Sequence, residues 1–492
     1  MSRMFMEEAR SIEVFDECDI LVVGGGAAGH SAAIAAARAG AKNIILLERY
    51  GYMGGDVTGG YVIMVPALTW RTGSFVRGLQ EEWFTRMKDI PGAVLGAEKG
   101  TYGSEKKEDI EYWTPIWDAV SKCEDSTPRV VRSVYFEPNQ LKIEMDKMLL
   151  EEKANIRVYC HSWASRPIVE DGVVTGIVFE SKEGRKAIKA KVVIDATGDG
   201  DLYAQAGAPF AMDNDRKTRS TDTALVFRVG GVDFRKFFAS ANKSREVFGK
   251  LMGGLRAIVG HGMLPLPTPS NEIVWFNNWI SPMNCIDVKD LTYTEFLVRD
   301  KIRDVIKFMR DNAEGFEGAY LYDIAPQTGV RCSRRLKGEY IMTPFDYAFH
   351  REFPDTIAWH STICRINDSA PIEIPYRAIL PQGIENLLCP GRHVSADSIA
   401  IDWMNLIPQC VGTGQAAGVA AAVAVTDGTT VRDVNIERVQ DILVDQDVPL
   451  PRHPKTDPYL EELCKEFDYG HYTRLSKMAA EDPNQFINYR QP

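Results

Sequence analysis

Residues 19–29 constrain this chain more than any other stretch. Asp19-Ile20-Leu21-Val22-Val23 is an apolar run of the right length for a buried strand, and it enters Gly24-Gly25-Gly26-Ala27-Ala28-Gly29 without a spacer. An Ala-rich helix is predicted from Ala28 to Ala39, stopped by Gly40, and a second strand from Asn43 to Leu47 ends in Glu48. Strand, glycine turn, helix, strand and acid, in that order, form the opening unit of a Rossmann-like α/β domain. Gly24 permits the tight turn, Gly26 lets a phosphate approach the backbone, and Gly29 lets the helix lie close to the strand.

The N-terminus of that helix, around Ala28, offers free N–H groups and a positive dipole end to a pyrophosphate. Glu48 falls 24 positions after Gly24, near the offset of about 20 residues at which an acid meets a ribose. Its carboxylate can accept a hydrogen bond from a ribose 2′-hydroxyl and would repel a 2′-phosphate. An adenine dinucleotide without that phosphate, FAD or NAD, is therefore implied.

The 492 residues allow about three domains, or two large ones. Hydrophobic residues at 45% and charged residues at 25% argue for a folded soluble protein over a disordered, collagen-like or disulfide-stapled one. Lys and Arg number 57 against 68 Asp and Glu, a net charge of −11. That sign speaks against broad nucleic-acid binding, which requires cationic surface. The 9 cysteines are scattered and contain no C-x-x-C pair, so reduced thiols in the cytoplasm are expected, without a metal site or a disulfide framework. Charged residues interrupt Met1 to Asp19, so no signal peptide is read. The longest uncharged stretch, Trp403 to Thr426, contains Asn405, Pro408, Gln409, Gln415 and glycines at 412, 414 and 418, which predicts a buried helix instead of a membrane span.

Further along, Pro138 to Glu152 has the pattern of an amphipathic helix. Ile156 to Cys160, Val173 to Glu180 and Ala187 to Ile194 read as strands of a small β-meander, with turns at Asp171-Gly172 and Glu183-Gly184. The last of them breaks at Asp195-Ala196-Thr197-Gly198-Asp199-Gly200-Asp201, a backbone-exposing turn at a strand's carboxyl end, where open α/β sheets place ligands. Segments Gly60 to Ser133 and Ala208 to Tyr322 are less regular and carry Trp70, Trp83, Trp113, Trp117, Trp275 and Trp279. They suit insertions that cap the nucleotide domain; core packing is the commoner role for such tryptophans and lining a substrate cavity the alternative. Pro408 suits the first position of a helix, and Gly414 and Gly418 give that helix a smooth face for close packing. The expected division is a discontinuous nucleotide domain of residues 17–60, 134–207 and 323–430, an α+β cap built from 61–133 and 208–322, and a C-terminal extension of 431–492.

In order and spacing, Val22 to Gly29, Gly54-Gly55-Asp56-Val57-Thr58-Gly59-Gly60, Asp195 to Asp201, Arg331-Cys332-Ser333-Arg334-Arg335, Ile374-Pro375-Tyr376-Arg377, Gly391-Arg392 and Gly412 to Gly418 resemble the FAD-dependent oxidoreductase family related to the flavoprotein subunits of succinate dehydrogenase and fumarate reductase. The resemblance covers most of residues 17 to 450. It implies a Rossmann-like FAD domain with a β-meander and an inserted cap. It also implies cofactor contacts from Gly24, Gly26, Ala28, Gly29, Glu48 and Arg49 at the ADP part, from Gly55, Asp56, Thr58 and Gly59, and from Ala196, Thr197, Gly198 and Asp199. Gly391 and Arg392 belong to the same set, and Leu406, Ile407 and Gln409 are implied to lie near the flavin ring, where a helix N-terminus can stabilise negative charge. Two departures stand out. The family often has Glu where this chain has Cys332 and often Arg where it has Asn405. Gly54 to Gly60 contains no His, the residue used for covalent attachment in the succinate and fumarate enzymes, so noncovalent FAD is expected.

A flavin N5 hydride step requires a protein that orients the substrate and supplies a proton partner. Arg331 is a candidate carboxylate clamp, with structural ion pairing the alternative for it and for Arg334 and Arg335. His360 and His393 are candidate acid/base groups, each weighed against a structural role. Tyr376 is a candidate to protonate or polarise substrate, and His30 is read as packing only. The leading expectation is a cytoplasmic FAD oxidoreductase acting on a small organic substrate. Its rivals are a non-redox flavin hydratase or isomerase, the flavoprotein subunit of an electron-transfer complex, and an RNA-binding flavoprotein with a coherent basic face. A homo-oligomer or an electron-transfer partner is compatible with each, and no membrane partner is expected.

Overall fold

The structure, a computed structural model, describes residues 6–66, 68–117, 119–122, 127–212, 223–360 and 371–465. Residues 213–222 of the second insertion, 466–492 of the C-terminal extension, Cys123 and Cys364 lie outside the described residues.

The expected first unit is present as β1 (Glu13–Val23), α1 (Ala27–Arg38) and β2 (Ile44–Leu47). β1 and β2 run parallel, Ile20 beside Ile44 and Val23 beside Leu47, and their four-residue facing runs are buried on both sides, as a parallel sheet requires. Helix α2 (Pro138–Glu151) starts with Pro138 in its first turn, and the Glu137 carboxylate caps it by accepting from the Asn139 N–H. It leads into β3 (Ile156–Tyr159), which pairs parallel with β2. That pairing corrects the sequence assignment: Ile156–Tyr159 extends the parallel sheet and is not part of the meander.

The meander is instead β4 (Trp163–Glu170), β5 (Val173–Ser181) and β6 (Gly184–Asp195). β4 escaped notice because it is a polar, largely exposed edge strand that contains Pro167, and a proline cannot donate to a ladder. The full sheet order is β3-β2-β1-β6-β5-β4, with the short strand Leu387–Leu388 also paired to β6. β6 joins the two halves, antiparallel to β5 along its first part and parallel to β1 along its length. At its carboxyl end the Ala196 N–H donates to the Val23 carbonyl at 2.9 Å, which sets the Asp195–Asp201 turn beside the first glycine turn.

A second sheet, in the order β8-β9-β7-β10, is antiparallel throughout; its strands are β7 (Phe227–Gly230), β8 (Gly262–Pro267), β9 (Ile273–Trp279) and β10 (Tyr320–Ile324). The expected boundary at 322/323 falls inside β10. Val134–Phe136 likewise pairs with Met64–Val65 and Val94–Leu95 of the first insertion. Arg228 of β7, 1% exposed, ties this sheet to the rest: it donates to Glu137 at the start of α2 at 2.6 Å and to both oxygens of Asp323 on β10 at 2.8 and 2.5 Å.

Trp403 to Thr426 is largely buried, continuously from Pro408 to Ala424, and is split into Ile401–Met404 and the long helix α3 (Ile407–Asp427). No helix among the described residues is long and apolar enough to cross a membrane. Ile407 takes the first helical position and Pro408 the second, one residue later than expected. α3 lies directly on α1. A Cβ added at Gly414 would stand 2.2 Å from the Ala28 carbonyl oxygen, and one at Gly418 2.1 Å from that of Ala32, so only hydrogen fits at either place.

Gly418→Val is expected to destabilise by about 3 kcal/mol or more, at the upper end of the overpacking range, because backbone must move to admit the side chain. Gly253→Ala, in an exposed helix interior with nothing near its Cβ, is expected to stabilise by roughly 0.5–1 kcal/mol. Thermal melting of both variants against the parent checks the opposite signs.

Candidate functional site

The carboxyl ends of β1, β2 and β6 converge on one cavity of about 580 Å³, at the edge where open α/β sheets bind ligands. One end is formed by Gly24, Gly26 and Ala28 with Glu48, Arg49 and Tyr50; the middle by Gly55, Asp56, Ala196, Thr197, Gly198, Gly391 and Arg392; and the far end by Asn405, Leu406 and Ile407 together with residues of the second sheet. Gly24 needs its positive φ of 100°, and a Cβ there would meet the Ala196 carbonyl at 2.4 Å. Gly26 is different: nothing of the protein lies within 4 Å of where its Cβ would be, so its missing side chain leaves space in the cavity itself. Glu48 is 6% exposed. Its Oε2 accepts from the Gly25 N–H at 2.6 Å and its Oε1 from the Tyr50 N–H at 2.7 Å. Burial nevertheless pushes its carboxyl above the usual range.

Arg392 ties three distant segments together. Its guanidinium donates to Asp56 at 2.9 Å and to Asp199 at 3.0 Å, and Gly198 leaves room for it, since a Cβ there would lie 2.7 Å from the guanidinium carbon. The two carboxylates respond differently. Burial pushes Asp56 up against the pull of Arg392. For Asp199 burial is outweighed by Arg392 together with the Ser333 hydroxyl, which donates at 2.6 Å, and its carboxyl lies below the usual range. Asp56 also accepts from the Gln327 amide at 3.0 Å, and Gln327 in turn accepts from the Tyr52 hydroxyl at 3.0 Å.

Several expected cofactor residues stand one layer behind the cavity wall. Gly29 packs on the Gly24 carbonyl, Thr58 donates its hydroxyl to the Met53 carbonyl, and Gly59 lies against Tyr52 and Gln327. Asp199 acts through Arg392, and Gln409 is buried in the first turn of α3. None of these five lines the cavity; they hold the residues that do.

Three of the four catalytic candidates lie outside the cavity wall, each packed among other neighbours. The His360 ring packs against Gly412 of α3, where a Cβ would stand 2.4 Å from a ring carbon, and burial lowers its pKa to about 4. His393 is fully buried beside Asp195, 4.0 Å away, with the Tyr203 ring 5.3 Å from its own. Tyr376 is buried and its hydroxyl donates to the Val431 carbonyl at 2.6 Å. None of the three is part of the cavity wall; Arg331 is. Its guanidinium lies 5.5 Å from the Trp279 ring, it donates to Asn277 at 3.5 Å, and its carbonyl accepts from the Asn405 amide at 3.2 Å. Arg334 instead binds the Asp199 carbonyl and the Asp201 carboxylate. Of the two departures, Asn405 lines the cavity while Cys332 is buried behind it with its thiol pushed up to about 12. His30 is buried against the Met145 carbonyl and Trp83, a packing residue.

Trp70, Trp83 and Trp113 belong to hydrophobic clusters alone; Trp117, Trp163 and Trp279 line the cavity, and so do Trp275 and Trp403, which are also members of the main core cluster. The sequence did carry a signal for part of this: Trp275, Asn277 and Trp279 alternate along β9, the spacing of one face of a strand. Among the described residues no group of three or more His, Cys, Asp or Glu is placed to hold a metal ion.

The cavity fits the expected dinucleotide on two independent counts. The glycine cradle at Gly24 and Gly26 is open to it, and Nε of Arg392, a residue of its wall, is buried with no hydrogen-bond partner among the described residues. A match to the family described as FAD dependent oxidoreductase spans residues 19–443. Urocanate reductase of Eggerthella lenta is 29% identical over 222 residues, 42% of this chain and 36% of that protein, so the match spans about a third of the relative's length. Among solved structures, a geranylgeranyl bacteriochlorophyll reductase-like protein of Thermoplasma acidophilum is similar with a TM-score of 0.46 at 15% identity, covering 95% of this chain and 97% of that one. The p-nitrophenol 4-monooxygenase of Pseudomonas putida aligns at a TM-score of 0.43 and 13% identity, covering 96% of each chain. With the family match running through every segment that builds the cavity, the chain belongs to the FAD dependent oxidoreductase family, and FAD is its cofactor.

Proposed function

We propose that this protein oxidises or reduces a small organic molecule by hydride exchange with noncovalently held FAD, in a chamber between the cofactor domain and the cap. The observation that carries this reading is the continuity of one cavity from the glycine cradle and Glu48, past Arg392, to Leu406, Ile407 and the wall formed by β8 and β9. FAD, when bound, supplies the hydride acceptor or donor at N5. The chain's own residues do the rest: Glu48 receives the ribose, Arg392 with Asp56 and Asp199 braces the middle of the site, and Arg331 orients substrate from the cavity wall beside Asn405. Residues 17–60, 134–207 and 323–430 serve as the cofactor domain, 61–133 and 208–322 as the cap. The net charge of −11 supports a small-molecule partner over a nucleic acid, and we place the protein in the cytoplasm.

Noncovalent binding is supported by a cavity wall that, among the described residues, contains no histidine and one cysteine, Cys410, whose thiol burial pushes up to about 12. Acid precipitation is expected to release all of the flavin to the supernatant; yellow colour that stays with the pellet would contradict it.

Gly26→Leu is expected to fold with an unchanged far-ultraviolet spectrum, since no protein atom lies within 4 Å of where its Cβ would stand and that Cβ faces the cavity, yet to contain no flavin. Stoichiometric FAD in that variant would sink the cofactor site. The activity itself is tested by the visible spectrum of the anaerobic holoprotein as small acids, amines and alcohols are added, and, for the opposite direction, by reoxidation of the pre-reduced protein. Bleaching or reoxidation by one class identifies a redox substrate, whereas turnover with no net change in flavin and no external acceptor would favour a hydratase or isomerase.

A further inference from the structure

The second sheet presents its two faces differently to the molecule. On β9 the residues facing one way are Val274, Phe276 and Asn278; Phe276 stacks on Phe227 at 4.9 Å with the planes 4° apart, and the Asn278 amide both donates to and accepts from the Leu225 backbone. That face is core. The alternating residues Trp275, Asn277 and Trp279 line the cavity, and the register with β8 sets Leu266 opposite Trp275 and Leu264 opposite Asn277, both also on the cavity wall. Strand alternation has thus produced a wall of two indoles and two leucines with one amide at its centre.

From this wall we infer that the substrate of the proposed reaction carries a flat aromatic ring, seated on the half-buried Trp279 in front of the fully buried Trp275, with a polar substituent directed to Asn277. The inference rests on the reading of the cavity as a flavin site with a substrate chamber. Indoles offer broad flat faces to a planar ring, with offset-stacked or edge-on contacts favourable beyond area burial alone. Leucines supply apolar contact without a competing polar demand. The amide at mid-strand is the selective element. Asn277 lies between apolar neighbours, its carbonyl engaged by Arg331 at 3.5 Å, and a ligand that satisfies its remaining hydrogen-bonding capacity is preferred over one that leaves it dry. The Arg331 guanidinium lies over the Trp279 ring, 5.5 Å from its centroid, which covers one face of that indole and fixes the position of the wall's outer edge. Trp117 comes to the same chamber from the first insertion.

The test uses the FAD-loaded protein and matched pairs of acids that differ only in ring planarity: benzoate against cyclohexanecarboxylate, and 3-phenylpropanoate against 3-cyclohexylpropanoate. Perturbation of the flavin absorbance gives a dissociation constant for each. The aryl member of at least one pair is expected to bind at least ten-fold more tightly than its saturated partner. Trp279→Leu, a change at a half-buried position, is expected to keep its flavin while the ratio falls below about three-fold, and Trp279→Phe to restore most of it. Equal binding within both pairs, no response to either aryl acid, or a Trp279→Leu variant with an undiminished ratio would each overturn the inference while leaving the flavin site standing. Protein that binds no flavin on reconstitution would overturn the underlying reading, and the inference with it.

Discussion

The contact on which this architecture turns is the approach of α3 to α1 at Gly414 and Gly418. The carbonyl oxygens of Ala28 and Ala32 occupy the space in which side chains would stand, so the two helices meet backbone to backbone. Because α1 begins at the glycine turn and α3 begins at Ile407, their closeness brings the first and last cofactor segments to the same cavity. A wider crossing would carry Leu406 and Ile407 away from Gly26. The buried alanines along α1 and α3 extend this contact, and the price of small residues is recovered through the dense apolar packing they permit.

Charge then fixes what the backbone has brought near. Arg392 has two carboxylate partners, Asp56 and Asp199, from loops that are 143 residues apart in the chain. Breaking such a buried cluster costs several kcal/mol because the partners left behind remain desolvated. It therefore acts as a registration device: the loop after β2, the turn after β6 and the segment before α3 all meet at a single guanidinium. The Arg228 cluster plays a corresponding role for the second sheet, joining β7 to β10 and to the start of α2.

The limits of what was legible before folding follow from the kinds of signal involved. The βαβ unit, the turn after β6 and the α3 helix were readable because each combines local propensity with a backbone requirement that only glycine or proline meets. β4 was not, since an exposed edge strand lacks the apolar run that marks a buried one. Assignment of β3 to the meander failed for a related reason: pairing partners are non-local, and four residues of strand carry no record of whether the neighbour runs parallel. His360, His393 and Tyr376 were named for chemical capacity and nearness in sequence to family motifs, but the packing of His360 on Gly412, of His393 beside Asp195 and of Tyr376 on the Val431 carbonyl is decided by partners far away in the chain.

By itself the sequence determined the glycine turn, the acid that follows β2, the order of the cofactor segments and the small-residue face of α3, because steric exclusion and strand–helix periodicity are properties of short stretches. Only the tertiary structure decided which polar residues face the cavity and which support it, and that Trp275, Asn277 and Trp279 form one wall of the chamber while Trp70, Trp83 and Trp113 pack in hydrophobic clusters. The physical reason is that a side chain's role follows from what lies against it, and those neighbours come from other elements, tens to hundreds of residues away in the chain.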